Sequence, residues 1–139
     1  MTDADRQHMF DVACGILAAA FPDSWAIYVY GSFARGDEGA ASDLDLAVLL
    51  PPRAVIPDKL GLIAELSRKV GREVDIVSLR EANLDLVHDL LRDGRQLLVR
   101  REDDVLGWEA ERMSDYADFN PRRAEILAAY MDEPLVDRS

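Results

Sequence analysis

The chain has 139 residues, 49% of them hydrophobic, which is enough for one domain with a buried core and excludes a disordered polypeptide. Its formal net charge of -11 excludes a broad basic face, so we expect no direct binding of nucleic acid. The single cysteine, Cys14, permits no disulfide within the chain and favours a cytoplasmic location. No apolar run is long enough to cross a bilayer, and residues 1–6 lack the pattern of a signal peptide, so no membrane association is expected.

Helical and strand patterns alternate along the first half of the chain. Apolar residues at helical spacing predict a helix over about 4–20, which Pro22 ends. Aromatic and β-branched residues predict a strand over 25–30, and alternation predicts a second strand over 43–50. The segment 33–42 between them has room for one helical turn and a loop. Because this connection is too short for a parallel crossover, the two strands should pair antiparallel.

The second half of the chain continues the alternation and then becomes helical. The pattern predicts a helix near 58–70 that Gly71 ends, and then a strand over 73–78. A second helix is predicted from the Asn83 cap to Asp93, followed by a short strand over 96–99. The last predicted region is helical over about 103–131 and is interrupted at Asn120-Pro121. We therefore predict an α/β fold, a small mixed β-sheet flanked by helices with C-terminal helices. Residues 1–132 form one domain and residues 133–139 a loose tail.

A pair of aspartates on the second predicted strand is the first chemical signal. Asp43 and Asp45 stand two residues apart, so they project from one face of a strand with Cα atoms roughly 6–7 Å apart. Leu44 and Leu46 take the opposite face and anchor the strand in the core. Two adjacent carboxylates repel each other unless a positive charge lies between them, and Mg²⁺ suits such a pair together with substrate phosphates.

A third carboxylate lies on the third predicted strand. Asp75 stands between Val74 and Ile76, and a charge inside an apolar strand is costly unless it is paired or bound to metal. Three carboxylates on adjacent strands suit the binding of two metal ions about 3.5–4 Å apart. Enzymes use this separation for in-line nucleotidyl transfer. The alternative is that Asp75 is an edge-strand residue facing water.

A Gly-Ser turn precedes the aspartates and has the character of a phosphate site. Gly31 lets backbone N–H groups approach a phosphate closely, and Ser32 adds a hydroxyl donor at the start of a helical turn. Arg35, one turn later, is a candidate phosphate ligand or else a surface salt-bridge partner. Ser42 either contacts the nucleotide or orients the loop before Asp43, with the structural role favoured.

The motif as a whole resembles a known superfamily. Gly31-Ser32, ten intervening residues and Asp43-Leu44-Asp45, with Asp75 on a later strand, resemble the nucleotidyltransferases related to DNA polymerase beta. The run GSFARGDEGAASDLDLAVLL is similar to the minimal nucleotidyltransferases, the MNT proteins. The segments LVHDLLRDGRQLLVR and ERMSDYADFNPRR resemble the MntA-type antitoxins of HEPN/MNT toxin–antitoxin pairs.

This resemblance implies a specific role for each motif residue. It implies that Asp43, Asp45 and Asp75 are the catalytic and metal-binding carboxylates, with two Mg²⁺ ions, and that Asp75 is the candidate general base. It implies that Gly31 and Ser32 bind the triphosphate of ATP. The implied activity is transfer of AMP to a tyrosine hydroxyl of a partner HEPN RNase toxin, which neutralises the toxin within a hetero-oligomer.

Two other functions remain open from the sequence. The chain is alternatively a non-catalytic antitoxin that acts by binding and occluding the toxin. It is alternatively a nucleotidyltransferase for small molecules, similar to the enzymes that modify aminoglycosides, although those enzymes usually carry a further domain. The alternative for Asp43 and Asp45 is that they have no functional role and are solvated acidic residues at the start of a strand.

Overall fold

The helices and strands follow the predicted order closely. The computed structural model describes residues 1–118, 125 and 128–129. The elements in this part of the chain are α1 (Asp3–Ala20), β1 (Ala26–Tyr30), α2 (Ser32–Arg35), β2 (Leu44–Leu49), α3 (Lys59–Val70), β3 (Val74–Ser78), α4 (Leu84–Asp93), β4 (Arg95–Val99) and α5 (Glu102–Asp118). The predicted interruption at Asn120-Pro121 and the predicted tail over 133–139 lie outside the described residues.

Short polar contacts fix the ends of several helices. The Thr2 hydroxyl accepts a hydrogen bond from the Asp5 amide at 3.0 Å, and the Asp5 carboxylate accepts one from the Thr2 amide at 3.1 Å. This reciprocal pair satisfies donors that the first turn of α1 leaves without helical partners. The predicted cap Asn83 accepts a hydrogen bond from the Leu86 amide at 2.8 Å. Gly71 ends α3 with a left-handed φ of 74°, which glycine adopts without steric cost.

The four strands form one mixed sheet in the order β3-β2-β1-β4. β1 pairs antiparallel with β2, as the short connection predicted, and also with β4. β2 pairs parallel with β3, because α3 provides the crossover between them. The predicted mixed sheet is therefore confirmed, and β2 occupies an inner position beside the edge strand β3.

Helices cover both faces of the sheet, so that the inner strands β1 and β2 are buried on two sides. One face packs against α1 and α3 through a core that includes Phe10, Leu17, Val29, Leu46, Leu66 and Ile76. The opposite face packs against α4 and α5 through a second core that includes Tyr28, Ala47, Leu49, Leu90, Val105 and Trp108. The two cores hold β2 rigidly in the middle of the domain. In the described part of the chain, no helix is long and apolar enough to span a membrane.

Two leucines of α3 test the importance of this packing with the same substitution. We expect Leu66→Ala, which truncates a fully buried side chain, to lower the free energy of unfolding by about 2–5 kcal/mol. Leu60→Ala, which truncates a side chain that is 81% exposed, should change it by about 0.5 kcal/mol or less. Urea denaturation of both variants measures the difference. Equal values would contradict the placement of α3 against the sheet.

Candidate active site

The strand register places three polar side chains in one row at the end of the sheet. Tyr30 pairs with Asp45 across the antiparallel β1–β2 ladder, and Asp45 pairs with Asp75 across the parallel β2–β3 ladder. Residues paired in register project from the same face of a sheet. Tyr30 packs against the core beneath α4 and α5, so the Tyr30–Asp45–Asp75 row lies on that face. Two of the three predicted carboxylates are thus brought together by backbone pairing.

Asp43 occupies a different position from the predicted one. The sequence predicted that β2 begins at Asp43, but the strand begins at Leu44, whose amide donates to the Glu73 carbonyl at 2.9 Å. Asp43 is therefore an exposed residue just outside the ladder, while Asp45 is partly buried. The predicted opposite face is confirmed, since Leu44 and Leu46 are fully buried. Asp43 still influences the site through its charge, which contributes to the raised pKa of Asp45.

Burial, followed by repulsion between the carboxylates, determines the electrostatics of the row. Burial raises the pKa of Asp45, the charges of Asp75 and Asp43 raise it further, and the charge of Arg35 opposes these effects. The pKa of Tyr30 rises to about 12 because of burial and the charges of Asp45 and Asp75. The Tyr30 phenol therefore stays protonated near neutral pH and is available as a hydrogen-bond donor.

The chemistry of these side chains fits a hard divalent cation. Within the described residues, no group of three or more His, Cys, Asp or Glu side chains is arranged so that it could hold a metal ion. Mg²⁺, however, is usually held by one or two carboxylates, with water and substrate phosphates completing its shell. The in-register pair of Asp45 and Asp75 supplies that number of ligands.

Gly31 brings the start of α2 directly against Asp45. Its φ of 74° is left-handed, and a Cβ atom added there would lie 2.4 Å from Asp45 Oδ2, closer than non-bonded atoms approach. Glycine therefore satisfies two requirements at once, a backbone conformation and a close contact. Ser32 is the first residue of α2, where backbone N–H groups lack helical partners. The turn at the start of α2 and the Asp45 carboxylate thus lie in contact.

Arg35 and Ser42 have partners within the protein. The exposed Arg35 side chain forms an ion pair with Asp37 (Nε to Oδ2, 3.1 Å). It also lines an open cavity of about 380 Å³ together with Tyr30 and Gly31. The Ser42 hydroxyl accepts a hydrogen bond from the Gly39 amide at 2.8 Å and so closes the turn before Asp43. The structure thus gives Ser42 a structural contact, and nucleotide contacts by Arg35 and Ser42 stay predictions.

Tyr30 is a site residue that sequence reasoning did not single out. Its position was implicit in the predicted antiparallel hairpin, because the residue before the Gly-Ser turn pairs with the strand that carries the acids. The register itself was not available from the sequence, since a shift of one residue would have moved Tyr30 away from Asp45. The contribution of α4 to the cavity was also missed, because it depends on tertiary packing.

Comparison with protein families matches residues 18–103 to the model described as polymerase beta, nucleotidyltransferase. The chain belongs to this nucleotidyltransferase family. The matched region runs from the end of α1 to the start of α5, so it contains the whole sheet and all the predicted site residues. The family predicted from the Gly-Ser and Asp-x-Asp motifs is thereby confirmed.

Individual relatives narrow the comparison within this family. The chain is 29% identical over 112 residues to protein adenylyltransferase MntA of Shewanella oneidensis, covering 81% of this chain and 80% of that protein. A toxin–antitoxin crystal structure with AMP-PNP is similar at 27% identity and a TM-score of 0.72, covering 88% of this chain and 98% of that one. The structure of the tri-AMPylated Shewanella oneidensis HEPN toxin in complex with MNT antitoxin is similar at 25% identity and a TM-score of 0.68, covering 91% and 98%. The fold is therefore that of MNT antitoxins.

Two glycines with the same backbone conformation test the contact between Gly31 and Asp45. Gly36 has a φ of 78°, close to that of Gly31, but no atom lies within 4 Å of an added Cβ. We expect Gly36→Ala to lower the free energy of unfolding only by the strain of a left-handed alanine, about 1–2 kcal/mol. Gly31→Ala should lower the free energy of unfolding by a larger amount, because the added methyl group also clashes with the Asp45 carboxylate.

Chemical denaturation of the two variants measures how much each substitution lowers the free energy of unfolding. As a control, Gly31→Ala is also made in the Asp45→Ala variant. The excess cost of Gly31→Ala should disappear in that background, since the clashing carboxylate is absent. An excess that persists without the Asp45 side chain would show that some other contact constrains Gly31.

Proposed function

We propose that the chain is a Mg²⁺-dependent protein adenylyltransferase that neutralises an HEPN toxin by transferring AMP from ATP to a tyrosine hydroxyl. The observation that carries the proposal is the pairing of Asp45 with Asp75 beside the Gly31 turn. The two carboxylates suit a metal ion, the adjacent Gly31 turn suits a phosphate, and the chain belongs to the nucleotidyltransferase family. The adenylyltransferase MntA and the AMPylated HEPN toxin among the relatives support the donor, the acceptor and the partner.

The proposed nucleotide site uses the backbone at the start of α2 and the neighbouring cation, Arg35. Gly31 and Ser32 would hold the triphosphate through backbone N–H groups and the serine hydroxyl, as the start of a helix favours. Arg35 is exposed next to this turn and would exchange its ion pair with Asp37 for a phosphate contact. The relative crystallised with AMP-PNP supports ATP as the donor.

Asp43, Asp45 and Asp75 are the residues that would hold Mg²⁺. When bound there, Mg²⁺ would offset the charge of the triphosphate and polarise the α-phosphate for in-line attack. The carboxylates differ in exposure, and this difference suggests a division of roles. Asp45 is partly buried against Gly31, which suits a fixed ligand, whereas Asp75 is exposed on an edge strand, which an incoming acceptor can reach.

The acceptor hydroxyl would lose its proton to Asp75 as its oxygen attacks the α-phosphorus of ATP. The bond between the α-phosphorus and the bridging oxygen breaks, and pyrophosphate leaves. The protein contributes mainly by orienting the reactants and by placing charge before the reaction begins. The Tyr30 phenol, which stays protonated, lies in the row as a donor rather than as a competing nucleophile.

Neutralising the metal-binding aspartates tests the proposed activity. We expect Asp43→Asn combined with Asp45→Asn to abolish transfer of label from α-labelled ATP to the partner toxin, because the metal ligands lose their charge. Asp23→Asn is the matched control, since Asp23 is an exposed turn residue outside the site row. Transfer should require added Mg²⁺ in the wild type and should stop with EDTA. Undiminished labelling by the double variant would contradict the proposal.

The same variants distinguish catalysis from occlusion. If the unlabelled toxin is still silenced by the folded double variant, the chain acts as a binding antitoxin. If wild-type protein labels an aminoglycoside and no protein, the acceptor is a small molecule.

Asp75 has a separate test because its proposed role is proton transfer. We expect Asp75→Asn to lower kcat by about 10²–10⁴-fold, the usual contribution of a general base. Binding of ATP should weaken far less, since Asp43, Asp45 and the Gly31 turn remain. Steady-state kinetics and a separate ATP-binding titration check the two effects. A large loss of ATP affinity with unchanged kcat would assign Asp75 to nucleotide binding instead.

A further inference from the structure

The cavity beside Asp45 extends from the proposed phosphate site to helix α4. It has a volume of about 380 Å³ and is lined by Tyr30, Gly31, Arg35, Leu86, Asp89 and Asp93. That volume falls in the range of small-molecule sites, about 300–1,000 Å³. Because Gly31 and Arg35 belong to both the cavity and the proposed triphosphate site, a nucleotide bound there has this space next to its phosphates.

The chemical character of the lining changes across the cavity. α2 and its preceding turn contribute the backbone of Gly31 and the cationic Arg35, which suit phosphates. β1 and α4 contribute Tyr30 and Leu86, an aromatic and an aliphatic side chain from different elements. Apolar surfaces of this kind bind the faces of a nucleobase, whatever the base. A nucleotide with its phosphates at the α2 side would have its base in the part of the cavity that Tyr30 and Leu86 line.

Two carboxylates on α4 complete the lining. Leu86, Asp89 and Asp93 follow one another at intervals of three and four residues, so they share one face of the helix. Arg92 Nη2 contacts both carboxylates, at 3.3 Å from Asp89 Oδ1 and 3.1 Å from Asp93 Oδ2. This shared contact reduces the freedom of both side chains. Each ionised carboxylate retains oxygen lone pairs, which accept hydrogen bonds but cannot donate them.

We infer that the face of α4 formed by Leu86, Asp89 and Asp93 is the base-recognition wall of the nucleotide site, and that it selects bases carrying an exocyclic amino group. The inference rests on the proposed function, since it assigns a base pocket to the same nucleotide. An acceptor-only group at this wall favours the amino group of adenine. A base without that amino group leaves the carboxylates without a donor from the ligand.

Binding of two nucleotides that differ only in the amino group tests this assignment. ATP and purine riboside triphosphate, which lacks only the 6-amino group of ATP, are titrated calorimetrically into the full chain with Mg²⁺. We expect the wild type to bind ATP about three- to tenfold more tightly, the value of one partly solvated hydrogen bond. In Asp89→Ala combined with Asp93→Ala, the ratio of the two affinities should fall to about one.

The ratio is the informative quantity because removing two negative charges raises the affinity for every nucleotide. Asp85→Ala is the matched control, since Asp85 is an exposed residue of the same helix that does not line the cavity, and it should keep the wild-type ratio.

An unchanged ratio in the double variant, or no preference in the wild type, would overturn the base-recognition wall and leave the proposed function intact. A double variant with an unchanged ratio but a raised KM for the protein acceptor would assign the wall to the acceptor. Failure of the wild type to bind either nucleotide would overturn the proposed function as well.

Discussion

The parallel pairing of β2 with β3 sets Asp45 opposite Asp75, and the strand ladder must hold these two carboxylates against their own repulsion. Like charges directly opposite each other destabilise a sheet, so the pairing depends on energy from elsewhere. The two hydrophobic cores on either side of β2 supply that energy. Burial and the charges of Asp75 and Asp43 raise the pKa of Asp45, and a bound cation would offset the repulsion between the carboxylates.

Other features of the site follow from this arrangement. Gly31 is required because a side chain there would occupy the space of the Asp45 carboxylate, and the resulting close approach puts the start of α2 beside the acids. Tyr30 completes the row, and burial together with the charges of Asp45 and Asp75 raises the pKa of its phenol to about 12. The cavity beyond Gly31 then extends to α4, whose own carboxylates are held by Arg92. The proposed phosphate, metal and base sites therefore lie at one end of the sheet.

Local signals allowed much of this fold to be predicted. The Asn83 cap, the Gly71 terminus and the short β1–β2 connection depend on residues near each other in sequence, and all were predicted correctly. The start of β2 was placed one residue early because the alternating pattern includes Asp43, whereas the first ladder hydrogen bond forms at Leu44. The pairing of Asp45 with Asp75 and the approach of α4 depend on non-local packing, which leaves no periodic pattern in the sequence.

Binding of Mn²⁺ as a paramagnetic substitute for Mg²⁺ tests the central claim most directly, namely that the Asp45–Asp75 pair is a cation site completed by nucleotide. Electron paramagnetic resonance of the full chain with Mn²⁺ and AMP-PNP, compared with the same mixture without protein, reports the Mn²⁺ that the protein binds. We expect the wild type to bind Mn²⁺ in this mixture and Asp45→Asn to weaken the binding at least tenfold, while the distant Asp23→Asn does not. Equal Mn²⁺ binding by the wild type and Asp45→Asn would contradict the account.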